Sequence, residues 1–413
     1  MDNMQARRIQ VGDFRMDADE KEAILDVING GRISEWQKTK EFEKVFANYI
    51  GTKHCLAVSS GTSALILGLL ALFYDDRFPK ARKGAKIITS PVTYISTASA
   101  IVLSGYEPVF VDIDEKTFKL KTEEVRNAIE QHGPGNVAGI LPVHLMGYPN
   151  DLDELIEIAN EYDLFVFEDS AQAHGSLYKG KRTGSLGLLS DFSFYIAHNI
   201  QAGEMGCITT NDGRLYRLMK QLKANGRACN CILCTRSKGE CPGIKKYDGM
   251  GDYDPRFTHE YITYNFKVTE FTSALALSQM KKAEWIFQSR SKNVKYLTEQ
   301  MKQFDHIFSL PPYDPDVSYL AYTLIIKPGS HVDRKNLRKA LEDHGIETRP
   351  LFGCIPTQQP AFSYLKSQYE GRLPVADYIG SHAFYIGCHQ YMEKTDLDYI
   401  LDVFSDILKQ NRD

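Results

Sequence analysis

The most constraining feature of this chain is a unit repeated along its first half: a short apolar run, a turn of small residues, then an apolar helix. "HCLAVSSGTSALILGLLALF" has this order, and "AKIITSPVTYISTASAIVLSGYEPVFVDI" repeats it. Further units follow at "VAGILPVHLMG", "DLDELIEIANEYD" and "LFVFEDSAQAHG". Apolar runs without polar alternation suit strands buried on both faces, and strands alternating with helices suit crossover connections. The expected fold is therefore α/β, a mainly parallel sheet sandwiched by helices.

The long helical segment "TEFTSALALSQMKKAEWIFQSRSKNVKYLTEQMKQF" contains neither Gly nor Pro and suits a connection between domains. After it, "AYTLIIKPG", "RKNLRKALEDHGIETRP" and "DLDYILDVFSDILKQ" read as a smaller α+β unit. The expected division is a large domain over 1–282, with a cysteine-rich loop at 227–262 inserted, and a small C-terminal domain over 283–413. A chain of 413 residues that is 43% hydrophobic can build both cores. The net charge is −4 and the basic residues are dispersed, which argues against nucleic acid and anionic membranes as partners. No apolar run reaches the length of a membrane span, and "MDNMQARRIQVGDF" is polar, so a cytoplasmic location is expected.

Three stretches carry chemistry. In "SSGTSAL" a small-residue turn opens a helix, so free backbone N–H groups and the Thr62 and Ser63 hydroxyls are offered to an anion such as phosphate. Ser and Thr also cap ordinary helices. In "FVFEDSAQAHG" an apolar strand ends in Glu168 and Asp169, at the strand end where ligands of open α/β sheets sit. An aspartate there can pair with the protonated ring nitrogen of pyridoxal phosphate, and the plain alternative is a solvated acid or a helix cap. The third stretch, "DFSFYIAHNIQAGEMGCI", reads as strand, loop and strand with His198 in the loop.

Taken in order with "SPVTYIS" and "TYNFKVTEFTSALA", these motifs resemble the DegT/StrS family of nucleotide-sugar aminotransferases, of pyridoxal-phosphate fold type I. The resemblance runs from "GGRISEW" to "RLPVADYIGSHAFYIGCH". It implies that Thr62 and Ser63, helped by Ser193, bind the cofactor phosphate. It also implies that Tyr94 stacks on the ring, Asp169 meets the ring nitrogen and Gln172 lies near the ring hydroxyl. Asn265 matches a segment that reaches the phosphate of a neighbouring subunit, which implies a homodimer with shared active sites.

The family's cofactor-bearing lysine corresponds here to His198. Imidazole cannot form the stable covalent link that a lysine amine forms, but an ordinary histidine pKa suits proton transfer near neutrality. The expected resting cofactor is pyridoxamine phosphate, with His198 as the catalytic base. Two branches of the family carry this change, and both are sugar 3-dehydrases. One is metal-free and of the colitose type; the other, of the CDP-4-keto-6-deoxyglucose type, adds an iron–sulfur cluster.

The cysteines bear on that choice. Cys55, Cys207, Cys354 and Cys388 stand in apolar contexts and read as small core residues, with Cys207 a weak alternative ligand. Cys229, Cys231, Cys234 and Cys241 form C-x-C-x2-C-x6-C in a turn-rich segment, which suits a metal site. Zinc, [2Fe–2S], [4Fe–4S] and unliganded thiols are the alternatives, and resemblance favours iron–sulfur. The iron–sulfur branch takes one ligand from its strand-end motif, where this chain has Ala171, so Cys234 is the replacement.

The expected function is thus an iron–sulfur 3-dehydrase acting on a nucleotide-linked 4-keto-6-deoxyhexose in deoxysugar biosynthesis, with electrons from a reductase partner. The alternatives are the metal-free or zinc-containing 3-dehydratase that releases ammonia by hydrolysis, and a catalytically silent relative. Met205, in "GEMGC" where the family has a glycine, has no explanation from sequence.

Overall fold

The computed structural model describes residues 8–229, 246–247, 251–252, 254 and 256–410. In chain order the elements are α1 (Ala18–Asn29), α2 (Gln37–Ile50), β1 (His54–Val58), α3 (Gly61–Tyr74), β2 (Lys86–Thr89), α4 (Ile95–Leu103), β3 (Glu107–Phe110), α5 (Thr122–His132) and β4 (Val137–Leu141). Next come α6 (Leu152–Glu161), β5 (Phe165–Asp169), β6 (Leu177–Tyr178), β7 (Lys181–Arg182), β8 (Leu189–Ser193), β9 (Gly206–Thr210) and α7 (Gly213–Leu222). They are followed by β10 (Lys246–Tyr247), β11 (Gly251–Asp252), α8 (Glu270–Lys281), α9 (Ala283–Met301), β12 (Phe308–Ser309), β13 (Tyr322–Ile326) and α10 (Arg334–Asp343). The last are β14 (Thr348–Pro350), α11 (Ile355–Gln358), α12 (Lys366–Tyr369), α13 (Pro374–His382), β15 (Ala383–Ile386) and α14 (Lys394–Gln410).

Seven strands form the main sheet in the order β1-β9-β8-β5-β4-β2-β3. Neighbours from β8 to β3 pair in parallel, and β9 alone runs antiparallel to both its neighbours. The expected mainly parallel α/β sheet is therefore present, and its apolar strand runs are buried on both faces. A second sheet, β12-β13-β15-β14, is antiparallel and is built from residues from Phe308 onward.

Strand alternation sorts the side chains of β8 between two cores. Leu189 joins the large core that runs from the main sheet into the second sheet. Phe192 faces the other way and, with Phe194, packs with Phe42 and Phe46 of α2. Met205 is fully buried in this second core, which is the packing reason for a side chain at that position.

The single long helix expected after Glu270 is two helices, α8 and α9, meeting at Lys282 (φ −101°, ψ 0°). The Lys282 ammonium donates to Glu20 at 2.8 Å. That buried carboxylate also accepts from Ser278 and Gln279, so it ties α8 to α1 at the break.

Candidate active site

The carboxyl ends of the parallel strands, the start of α3 and the loop after β8 enclose a cavity of about 580 Å³. Six of the residues singled out in sequence line it: Thr62, Tyr94, Asp169, Gln172, Ser193 and His198. Ser63 stands back from it. Its amide donates to the Ser60 side chain, which caps α3, and its hydroxyl lies 2.9 Å from both Ser59 and Ser60. Ser60 and Gly61 take its place in the wall.

The start of α3 is held close to the sheet by small residues. A Cβ at Gly206 would lie 2.3 Å from the Ser60 carbonyl carbon, so β9 can approach the turn only with glycine there. A Cβ at Gly61 would lie 2.7 Å from that of Ser193, which places the Ser193 hydroxyl beside the helix N-terminus. Thr62 donates to the Ser96 hydroxyl at 2.8 Å, linking α3 to α4. Free amides, the positive end of α3 and these hydroxyls form an anion seat.

At the end of β5, Asp169 is buried and accepts from the Thr97 hydroxyl (2.7 Å) and the Ala171 amide (3.2 Å). Burial pushes its carboxyl up from the ordinary range, and these two bonds and His144 pull it back. Gln172 accepts from the Met146 amide at 2.9 Å through Oε1, which leaves its amide N–H groups for the cavity. Tyr94 is more than half exposed at the cavity mouth, edge-on to Phe352 at 5.8 Å.

His198 Nδ1 lies 2.8 Å from the Ser193 carbonyl oxygen, so Nδ1 carries the proton and Nε2 of the neutral ring is the basic nitrogen. Removal from water pushes this imidazole down to about 4; the Ser193 bond opposes the shift and the Arg290 charge adds to it. The ring is thus neutral near pH 7. Among the described residues that line the cavity there is no lysine.

Asn265 is exposed, outside the cavity of this single chain, and its side chain accepts from the Lys267 amide. Of the four clustered cysteines only Cys229 is described, a partly exposed free thiol; Cys231, Cys234 and Cys241 lie outside the described residues. Among the described residues no group of three His, Cys, Asp or Glu side chains could hold a metal ion. Cys55, Cys207, Cys354 and Cys388 are buried and free.

Sequence reasoning missed several cavity residues: Thr97, Asp191, Glu204 and Tyr385. Thr97 follows Thr93 by one helical turn, and Asp191 precedes Ser193 by two residues on a strand. Both spacings are readable. Tyr385 comes from the distant second sheet and carries no local signal.

The model of the DegT/DnrJ/EryC1/StrS aminotransferase family matches residues 15–405. The chain belongs to this family. The dTDP-4-dehydro-2,6-dideoxy-D-glucose 3-dehydratase of Saccharopolyspora spinosa is 30% identical over 410 residues, which cover 96% of this chain and 86% of that protein. The solved structure of the E. coli GDP-4-keto-6-deoxy-D-mannose-3-dehydratase with bound hydrated PLP superposes with a TM-score of 0.84 at 28% identity, covering 96% of this chain and all of that one. A GDP-4-keto-6-deoxymannose-3-dehydratase with a trapped PLP-glutamate geminal diamine gives a TM-score of 0.84 at 27% identity with the same coverage. The fold is that of the aspartate-aminotransferase-like, fold-type I enzymes. Among the described residues no helix is long and apolar enough to cross a membrane.

Proposed function

We propose that this protein is a 3-dehydratase of a nucleotide-linked 4-keto-6-deoxyhexose, working with pyridoxamine 5′-phosphate in deoxysugar biosynthesis. The observation that carries this reading is His198. It stands where the family has its lysine, with Nδ1 fixed by a carbonyl and Nε2 left as a base on a cavity wall that has no lysine among the described residues. The relatives named as 3-dehydratases support the same reading.

The cavity fits the cofactor, since its lining combines an anion seat, a buried carboxylate and side-chain amide donors. Bound there, pyridoxamine 5′-phosphate supplies an amine that condenses with a ketone and a ring that accepts an electron pair. Thr62, Ser193, the Ser60 turn and the amides opening α3 hold the phosphate. Asp169 would pair as a carboxylate with the ring nitrogen, and the Gln172 amide would donate to the ring hydroxyl. Tyr94 and Phe352 close the mouth over the ring, and Arg349 and Tyr385 face the sugar side. His198 Nε2 removes the proton whose loss lets the 3-hydroxyl depart, and as imidazolium it can return that proton to the leaving oxygen.

Release of the product by hydrolysis, with loss of ammonia, is the favoured ending. Each such turnover consumes the cofactor's amino group, so an amino acid must restore it, and the glutamate trapped on PLP in a relative fits that need. A second reading rests on the C-x-C-x2-C-x6-C spacing beginning at Cys229: an iron–sulfur cluster fed by a reductase delivers electrons and leaves the amine in place. A homodimer in which Asn265 reaches the partner's phosphate seat completes the proposal.

The test is anaerobically purified protein, with iron and sulfide content measured, incubated with pyridoxamine 5′-phosphate and a 4-keto-6-deoxy nucleotide sugar. Ammonia release without iron supports the hydrolytic ending; iron and sulfide in near-equal amounts support the reductive one. His198→Asn is expected to lower turnover by about 10²- to 10⁴-fold while the cofactor still binds. Unchanged turnover in that variant would remove the histidine from the reaction.

A further inference from the structure

Two carboxyl groups in the cavity, Asp191 and Glu204, have no role in the chemistry above. Asp191 lies on β8 two residues before Ser193, so strand alternation places both on the same face of the sheet. It is in register with Asp169 of β5, the next strand. Both acids line the cavity and both are buried.

Their surroundings differ. Asp169 accepts from the Thr97 hydroxyl and the Ala171 amide, donors that suit a charged carboxylate. Neither carboxyl oxygen of Asp191 has a hydrogen-bond partner among the described residues. In-register residues on neighbouring strands have backbones about 4.8 Å apart, and two buried carboxyl groups on one face of such a pair do not both ionise cheaply. The donors decide which of the two keeps the charge.

We propose that Asp169 and Asp191 share one proton, held on Asp191, so that the cavity presents a carboxylate at Asp169 and a neutral O–H donor beside the anion seat at Ser193. The role toward a phosphate rests on the proposed cofactor reading; the shared proton does not. An ionised Asp191 would repel a phosphate two residues along the strand, whereas the neutral acid can donate to it. Burial first, and the Asp169 charge second, push Asp191 well above the ordinary aspartate range. The other titratable groups that line the cavity are His198, Glu204 and Tyr195 after β8, Tyr94 before α4, Arg349 on β14 and Tyr385 on β15, and the Cys207 thiol on β9 interacts with Asp191 electrostatically. The start of α3 brings only hydroxyls and amides.

The proton has a measurable consequence in the protein without cofactor. Between the unfolded aspartate pKa near 4 and the raised folded value, the native state binds the extra proton, so this group makes stability fall as pH rises. Asp191→Asn keeps the shape and cannot titrate. The urea midpoints of wild type and Asp191→Asn are expected to lie closest near about pH 4, with wild type falling progressively below the variant toward about pH 8. Parallel profiles would overturn the shared proton. Asp191→Ser serves the same comparison if the amide variant does not fold.

Binding of pyridoxamine 5′-phosphate gives a second readout. The affinity of wild type relative to Asp191→Asn is expected to fall by up to about tenfold per pH unit above the Asp191 titration. A ratio constant with pH would overturn the donor role. Wild type that binds no pyridoxamine 5′-phosphate at any pH would overturn the cofactor reading and the donor role, while the stability comparison still judges the shared proton.

Discussion

Glu168 and Asp169 are adjacent on β5, both buried and both acidic, yet they serve opposite faces of the sheet. Glu168 accepts from the amides of Gly184 (2.8 Å), Leu186 (3.0 Å) and Gly187 (2.6 Å), with His144 Nε2 at 3.1 Å. Asp169 has two donors, and its register neighbour Asp191 has none among the described residues. A carboxylate saturated by its own protein holds the turn between β7 and β8 in place. One left under-supplied at the end of a parallel strand is prepared for a ligand. The same contrast separates His144, whose Nδ1 accepts from the Asn150 amide, from His198, whose Nε2 is left for the cavity.

The strongest way to break this contrast is to neutralise each acid in turn. Asp169→Asn is expected to cost about 10³-fold or more in turnover, because an amide cannot hold a ring nitrogen in its protonated form. Its urea stability should equal or exceed that of wild type, since a buried, under-supplied charge is removed. Glu168→Gln should do the reverse, lowering stability by about 3 kcal/mol in urea unfolding through loss of the charged acceptor of three amides. Equal stability losses in the two variants would erase the distinction.

Acid sharpens the comparison on the histidine side. The unfolded His198 takes up a proton near pH 6.5, whereas the folded ring stays neutral down to about 4. Its contribution to stability is therefore complete above about pH 6.5 and is lost as pH falls toward the folded value. His198→Asn should show a shallower acid slope in urea unfolding; an identical slope would mean that the ring is not held neutral.

Smaller effects test the individual donors. Thr97→Val removes one donor to Asp169 and is expected to weaken pyridoxamine 5′-phosphate binding by about 1.5 kcal/mol, measured by titration. Ser63→Ala should change that affinity by less than about 0.5 kcal/mol, since its hydroxyl is engaged with Ser59 and Ser60. Thr62→Ala should cost more than Ser63→Ala.

Much of this was readable in advance. The repeated strand-turn-helix order specifies the main sheet, because apolar runs without alternation can be buried only between two helix layers. Asp169, Ser193 and His198 were legible because strand ends and family motifs mark them. Ser63 could not be sorted from sequence because a helix-opening hydroxyl serves a phosphate or its own cap equally well. Tyr385 was invisible since the second sheet brings it to the cavity through tertiary packing. Asp191 was visible in the alternation of "DFS", but only the missing donors make it unusual. The break at Lys282 has no Gly or Pro to announce it and follows from the buried Glu20 contact.

The most direct test of the central claim is the product formed from a 4-keto-6-deoxy nucleotide sugar, read by mass spectrometry and NMR after incubation with pyridoxamine 5′-phosphate and glutamate. Loss of the 3-hydroxyl with the C4 ketone retained, abolished in His198→Asn, is the expected result. A 4-amino sugar with its 3-hydroxyl intact would contradict the account and make the protein an aminotransferase that works without its lysine.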